Sequence, residues 1–480
     1  MTAILPGSAM LDPAGKAGQN TGATSGKPAR TPSKVKTAFA TIVSPNYLAY
    51  ARVLGDSLAC HAPEAQFHVL VVNRPDAEVA AAVGATGLQA TYATELGLAD
   101  FEHLAYKYDL VELNTALKPS FLKSLFAQGF DQVVYLDPDI CLYQAPSPIL
   151  EALQGAEIVL IPHSLSPAMD GLRPSDIDFL RTGTFNLGFL ALRRGSQSFA
   201  LLDWWEKRCL SHGFNDPGFG TFVDQKWMDL APCYFESVHV LKHAGCNVAY
   251  WNLHERAVQG DGGQYLVNGA PLVFFHFSGV DSGAPQVLSR HQNRHCLAPG
   301  TALAELVHDY CARLLAAGQR RWSGLPYSFG ALDDGTRITA AMRRAACVDA
   351  MDVTHPFDVA SGLQRALQGA GFRRGAAINF NAVTTLNFDP ADREVVRVNF
   401  MIRLLGRIMG PGRVAALIRY ATFLGWGSNF AAVLLDQPFE LRHVDQRKGM
   451  PRECPSNNEK CQTPGPAPMT EASRTSHRQR

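Results

Sequence analysis

Val133-Val134-Tyr135-Leu136-Asp137-Pro138-Asp139 is the stretch that decides how this chain is read. An unbroken apolar run followed by turn residues has the length and composition of a buried strand. Two aspartates, one residue apart, stand at its tip. Their like charges repel, and a divalent cation is the simplest partner that turns repulsion into attraction. Carboxylate oxygens are hard ligands that suit Mg²⁺ or Mn²⁺ rather than zinc, and such ions keep positions open for phosphate groups. Asp-Pro-Asp is also good turn chemistry, so the spacing alone leaves both readings standing.

Working outward, the same pattern repeats. Apolar runs at 37–43, 67–72, 157–161 and 188–192 read as further strands, and helical spacing appears at 47–58, 76–83 and 118–128. Strands alternating with helices predict an α/β fold, a parallel or mixed sheet with helices on both faces. Ligands of such sheets bind beyond the carboxyl ends of the strands, where Ser44, Asp137 and Asp139 all fall. From about residue 306 the chain turns to Arg- and Ala-rich helical patterns. The expected organisation is a disordered tail over 1–36, an α/β domain over 37–305, a mainly helical C-terminal region over 306–447 and a second disordered tail over 448–480.

Composition narrows the function. Hydrophobic residues at 46% and charged residues at 18% fit a globular chain, and a formal net charge of +1 supplies no basic field for nucleic acid. Ten cysteines form no Cys-x-x-Cys pair, so a zinc signature is absent and a reducing, cytoplasmic setting is expected. There is no secretory leader pattern and no apolar run long enough to span a membrane. The 401–435 segment, with Arg403, Arg407, Arg413 and Arg419 among apolar residues, reads either as an amphipathic helix docked on the protein or as a peripheral contact with a membrane surface.

Four further segments are candidates for the same site. Ser44 to Tyr47 opens a helix after a strand; helix N-termini bind phosphate and an aromatic ring can stack on a base, although an ordinary turn has the same residues. Lys118 starts a helix and can neutralise a diphosphate or simply sit in solvent. Asn186 begins the strand Gly188–Leu192, and Asp224-Gln225 follow after a glycine-rich loop; amides and carboxylates there can bond sugar hydroxyls, or Asp224 can cap a helix. The run Phe274-Phe275-His276-Phe277-Ser278-Gly279 ends a strand in a histidine, a structural residue or a third metal ligand.

Taken in order, these elements resemble a GT-A-fold glycosyltransferase, and most of all glycosyltransferase family 8 with its glycogenin-like and bacterial galactosyltransferase members. The resemblance rests on the first strand with Tyr47, Leu54-Gly55-Asp56-Ser57-Leu58, Lys118, Asp137-x-Asp139, Phe185-Asn186-x-Gly188, Asp224-Gln225 and His276-Phe277-x-Gly279, over roughly Thr37 to Gly279. It implies a Rossmann-like nucleotide-diphospho-sugar domain. It further implies Mn²⁺ (or Mg²⁺) held by Asp137, Asp139 and His276, and a UDP-sugar donor contacted by Ser44, Tyr47, Lys118, Asp137 and Gly279. Asn186, Asp224 and Gln225 would line the donor sugar and acceptor as the catalytic wall. The family often places a lysine shortly after its His-x-x-Gly; here Val280 to Pro285 contains none, and Arg290 or Arg294 is the available substitute.

The reaction so implied is retaining transfer of a hexose from a UDP-sugar to a saccharide or glycolipid acceptor, in surface polysaccharide or lipopolysaccharide synthesis. Two other classes share the sheet: a sugar nucleotidyltransferase, which would want a glycine-rich basic loop where Ser44-Pro45-Asn46 stands, and a catalytically silent nucleotide-sugar-binding protein.

Overall fold

The computed structural model describes residues 35–348, 351–370, 393–424 and 433–435. The expected tails therefore lie outside the described residues, apart from Val35 and Lys36. The strands that build the site are β1 (Thr37–Val43), β2 (Gln66–Val71), β3 (Gln89–Tyr92), β4 (Gln132–Leu136), β5 (Ile140–Leu142), β6 (Ile158–Leu160), β7 (Phe189–Arg193), β8 (Val238–Val240) and β9 (Phe274–His276).

Seven of them form one mixed sheet in the order β8-β6-β7-β4-β1-β2-β3. All neighbours are parallel except β7, which runs antiparallel to both β4 and β6. From β1 the chain winds outward through the helix Leu48–His61 to β2 and β3, then crosses back to place β4 on the other side of β1. The connections diverge at β1 and β4, the arrangement in which ligands of open α/β sheets bind beyond the strands' carboxyl ends. Because β7 is reversed, its amino end arrives at that same edge: Phe189 lies opposite Leu136. One reversed strand thus delivers Asn186, Leu187 and Gly188 beside Asp137.

Strand alternation divides the core. Val133, Tyr135, Leu190 and Leu192 face one layer, with Phe121, Leu122 and Trp205 from the covering helices. Val134, Leu136, Phe189 and Ala191 face the other, with Leu54, Leu58 and Leu153. Helices on both faces explain why β4 is buried along its whole length and reads as a continuous apolar run.

The helix Ala302–Ala316 spans the 305/306 position where the helical region was expected to begin. It packs against the helix Leu48–His61 through Leu306, Val307 and Tyr310, and the Tyr310 ring stacks flat on Phe277 at 3.7 Å. Further on, Arg343 donates to the carbonyls of Ala105, Tyr106, Tyr108 and Phe329, and Arg344 pairs with Glu112. The helical region is therefore bound to the α/β layer by buried guanidinium groups, whose planar forks suit several carbonyls at once. The helices Arg393–Met409 and Pro411–Leu424 leave Phe400, Met401, Leu404, Ile408, Leu417 and Tyr420 exposed. Among the described residues, no helix is long and apolar enough to cross a membrane.

Candidate metal and ligand site

Asp137 leaves β4 at the sheet edge, and the Ile140 amide closes a turn onto the Asp137 carbonyl at 3.1 Å, with Pro138 at its second position. Turn chemistry and a ligand role are therefore not alternatives: the turn is what aims both carboxylates. After the turn, β5 pairs antiparallel with β9, with His276 opposite Ile140, and the Phe277 amide donates to the Asp139 carbonyl at 2.8 Å. This short ladder brings a residue 137 positions away in sequence next to Asp139.

Ligand atoms of Asp137, Asp139 and His276 lie within 4.8 Å of one another. His276 Nε2 is 3.0 Å from Asp139 Oδ1 and 3.9 Å from Asp137 Oδ2. The His276 side chain is buried, while those of Asp137 and Asp139 keep 32% and 20% of their surface open. Ligands rooted in the core but open on one side are what an incoming ion and its phosphate partner need. Burial alone would lower the His276 pKa, but the charge and hydrogen bond of Asp139, aided by Asp137, raise it above the usual imidazole value. Two carboxylates and one imidazole form a donor set suited to Mn²⁺, and more weakly to Mg²⁺.

Beneath the aspartates, Tyr135 donates its hydroxyl to Asp137 Oδ1 at 2.8 Å. Lys118 Nζ lies over the Tyr135 ring at 4.2 Å and pairs with Asp224 Oδ2 at 2.6 Å, both side chains being 2% exposed. Burial pushes the Asp224 carboxyl up against the pull of Lys118. The same ammonium donates to the Leu187 carbonyl at 2.7 Å, while Gln225 Oε1 accepts from the Leu187 amide at 3.1 Å and Gln225 Nε2 donates to the Thr182 carbonyl. Lys118, Asp224 and Gln225 thus come together with Asn186, as the sequence suggested. They do so as a buried frame that fixes Leu187 from both ends; Asp224 caps no helix.

Gly188 shows how tight that frame is. A Cβ there would collide with the His276 ring, the Asp137 carboxylate and the Asn186 amide, and the Gly188 carbonyl is held by the Asp137 amide at 2.8 Å. Gly188→Ala is expected to cost about 1–3 kcal/mol as an overpacking defect. It should also weaken divalent-ion binding, which thermal unfolding and Mn²⁺ titration would measure together.

On the β1 side, Ser44 is buried and donates to Asn46 Oδ1 at 2.6 Å. Tyr47 stacks on Tyr50 with ring centroids 4.5 Å apart. Its hydroxyl pKa is raised by burial and then by the charge of Asp139. Gly279 has φ +75° in the turn after His276, and its face is closed by Ser289 and His291. Of the two candidate arginines, Arg294 is committed elsewhere: it binds Asp170 at 2.6 and 3.0 Å and the carbonyls of Leu172 and Pro174. Arg290 is exposed, has no acidic partner among the described residues, and its charge lowers the Tyr47 pKa.

Sequence reasoning missed His163 and Trp251. His163 Nδ1 is 3.2 Å from the Thr184 carbonyl and Nε2 is 3.4 Å from Asn186 Nδ2; Trp251 packs nearly perpendicular to both His163 and His276. The signal was present, since His163 ends the run Ile158 to Pro162 as His276 ends its own strand. Burial lowers the His163 pKa to about 4 from 6.5. Its unfolded form binds a proton that the folded form refuses, so the stability it confers is complete above pH 6.5 and is lost as pH falls through about 4. The loss is on the order of 3 kcal/mol. Denaturant unfolding at pH 7 and at pH 4.5 should show a steeper decline in the wild type than in His163→Gln.

No family model matches the chain. Two curated relatives do, both from Bacillus subtilis (strain 168): the uncharacterized protein YfnF, 31% identical over 176 residues that cover 36% of this chain and 57% of that protein, and the uncharacterized protein YfnD, 27% identical over 247 residues that cover 50% and 77%. The chain thus spans little more than half the length of YfnF. Among solved structures, it is similar to the galactosyltransferase LgtC in complex with donor and acceptor sugar analogs, at TM-score 0.35, 17% identity, and coverage of 57% of this chain and 95% of that one. It is also similar to the glycosyltransferase GlyE of Streptococcus pneumoniae TIGR4, at TM-score 0.34, 13% identity, and coverage of 62% and 67%.

Proposed function

We propose that this chain is a divalent-metal-dependent glycosyltransferase of the GT-A type, moving a hexose from a UDP-sugar to a saccharide or glycolipid. The observation that carries the reading is the cluster of Asp137, Asp139 and His276. It is open on one side at the β1/β4 carboxyl edge.

Mn²⁺ or Mg²⁺ held by these three residues would supply Lewis-acid stabilisation of the departing diphosphate. The remaining work falls to the chain's own groups. Tyr47 forms the wall against which the nucleoside rests, its ring already stacked and so ordered before binding, and the buried Ser44 holds Asn46 in the turn before it. Arg290, exposed and without an acidic partner among the described residues, supplies the positive charge for the diphosphate that Arg294 cannot give. Asn186 presents its side-chain amide where a sugar cation would develop, while Gln225, committed to the Leu187 amide and the Thr182 carbonyl, holds the backbone beside it. Asp224 is held with Lys118 as a buried pair, so its part is to keep that backbone in place.

The acceptor reading draws on the arginine-rich helices Arg393–Met409 and Pro411–Leu424 with their exposed apolar residues, which suit peripheral contact with a membrane bearing a glycolipid. A role in cytoplasmic surface-polysaccharide or lipopolysaccharide assembly follows from that acceptor class.

The test is the full chain with Mn²⁺ and a panel of UDP-sugars, followed for UDP release and for metal-dependent thermal stabilisation by UDP. Release from one donor is the expected result. Pyrophosphate formation from UTP and a sugar 1-phosphate would instead identify a nucleotidyltransferase. Stabilisation without release from any donor would identify a silent binder, and neither effect would sink the nucleotide-sugar reading altogether.

A further inference from the structure

A second layer of side chains stands behind His276, and its hydrogen bonds can be oriented one by one. The Thr184 carbonyl can only accept, so the proton of His163 sits on Nδ1, 3.2 Å away. His163 is buried and neutral at physiological pH, so its Nε2 carries a lone pair. That nitrogen is 3.4 Å from Asn186 Nδ2, which must therefore donate. The Asn186 amide is fixed with its oxygen toward His276 Nδ1, 3.2 Å away, so Nδ1 of His276 donates and keeps its proton. Only Nε2 is left to face Asp139 and Asp137. The direction of the whole chain is set at one end by a backbone carbonyl, which has no alternative role.

The surroundings hold these partners in register. The His163 amide donates to the Thr184 carbonyl, and the Asn186 amide to the Ile161 carbonyl. Asn252 donates to the His163 carbonyl at 2.9 Å. Phe179 stacks on the His163 ring at 5.4 Å, and Trp251 packs nearly perpendicular to both imidazoles. No space for even a methyl group remains at Gly188 between Asn186, His276 and Asp137. Rotation of the Asn186 amide would place its NH₂ against a protonated Nδ1 and its oxygen against a lone pair, losing both bonds in a buried site.

We propose that His163 and Asn186 are positioning residues that reserve Nε2 of His276 for a divalent cation, by locking the proton of the ring on Nδ1. This rests on the metal reading of Asp137, Asp139 and His276. It gives Asn186 a task toward the metal ligand in addition to the sugar-facing wall.

The experiment is Mn²⁺ titration of the full chain without nucleotide, by calorimetry, together with pulsed electron paramagnetic resonance of the bound ion, which detects a coordinated imidazole nitrogen. Loss of an outer hydrogen-bond partner costs about 10–100-fold in metal affinity. Asn186→Leu is expected to show a loss of that size and a weakened nitrogen coupling. His163→Leu should show a smaller loss in the same direction, because the amide is then free to turn. His163→Gln, which restores an acceptor for Asn186 and a donor for Thr184, should return affinity toward the wild-type value. That rescue separates positioning from mere packing. If Asn186→Leu does not fold, Asn186→Asp serves in its place: it keeps the acceptor for His276, and nitrogen coupling should persist. Wild-type affinity and coupling in both leucine variants would overturn the relay alone, as would loss of coupling in Asn186→Asp. A wild-type protein that binds no Mn²⁺, or binds it without nitrogen coupling and indifferently to Asp139→Asn, would overturn the metal reading and the relay with it.

Discussion

Asp139→Asn is expected to abolish metal-dependent function while leaving the fold intact. The carboxylate is one of the three clustered groups that could hold a cation, its Oδ1 lies 3.0 Å from His276 Nε2, and it remains partly open to solvent. An amide keeps the shape but loses the charge that attracts the ion and that raises the His276 pKa. The structural bond of this residue, from the Phe277 amide to the Asp139 carbonyl, belongs to the backbone and survives the change. Mn²⁺ affinity should fall by at least the ~100-fold that loss of a supporting group can cost, with donor turnover falling in parallel and thermal stability within a few degrees of wild type. An unchanged Mn²⁺ titration would remove Asp139 from the site.

Lys118→Ala is expected to have the largest effect on stability. The pair with Asp224 is almost fully buried, and Lys118 also holds the Leu187 carbonyl. Removing the ammonium leaves a carboxylate without its counter-ion among Trp205, Tyr135 and Leu187. Breaking one side of such a pair costs about 3–5 kcal/mol, whereas replacing both sides with apolar groups of similar size can be neutral. The double variant Lys118→Met, Asp224→Leu should therefore recover much of the stability in urea titrations. It should not recover ion binding, since Leu187 would no longer be pinned beside Asn186 and Gly188. A loss under about 1 kcal/mol in Lys118→Ala would mean that the pair is exposed to water in solution, where ion pairs are worth little.

The two variants separate the parts of the site that can be read along the chain from those that cannot. A dry strand with two carboxylates at its tip is a local statement, and Asp137 and Asp139 carry it wherever the rest of the chain goes. Alternation of apolar runs and helical spacing likewise announces a layered α/β sheet, because each element must bury its own apolar face. His276 was legible as a strand-end histidine, yet its partnership with Asp139 depends on the β5–β9 ladder, a contact between residues far apart in sequence. Arg290 and Arg294 look interchangeable as sequence; only the ion pair with Asp170 shows that Arg294 is already engaged.

Lys118 marks the limit of sequence reading most clearly. A lysine at the start of a helix reads as solvated or phosphate-facing, because charge is costly to bury. Its buried position follows from Asp224, 106 positions later, which enters the same layer and offsets that cost. His163 behaves similarly: nothing local says that its ring will meet Asn186. By itself the sequence determined the strand, the carboxylates at its tip and the class of sheet, since these depend on local pattern and hydrophobic burial. The tertiary structure alone decided which polar groups are dry, which are paired and which cluster at the open edge of the sheet. Burial and pairing are properties of neighbours brought together by the reversed strand β7 and the β5–β9 ladder, and those neighbours are distant in the chain.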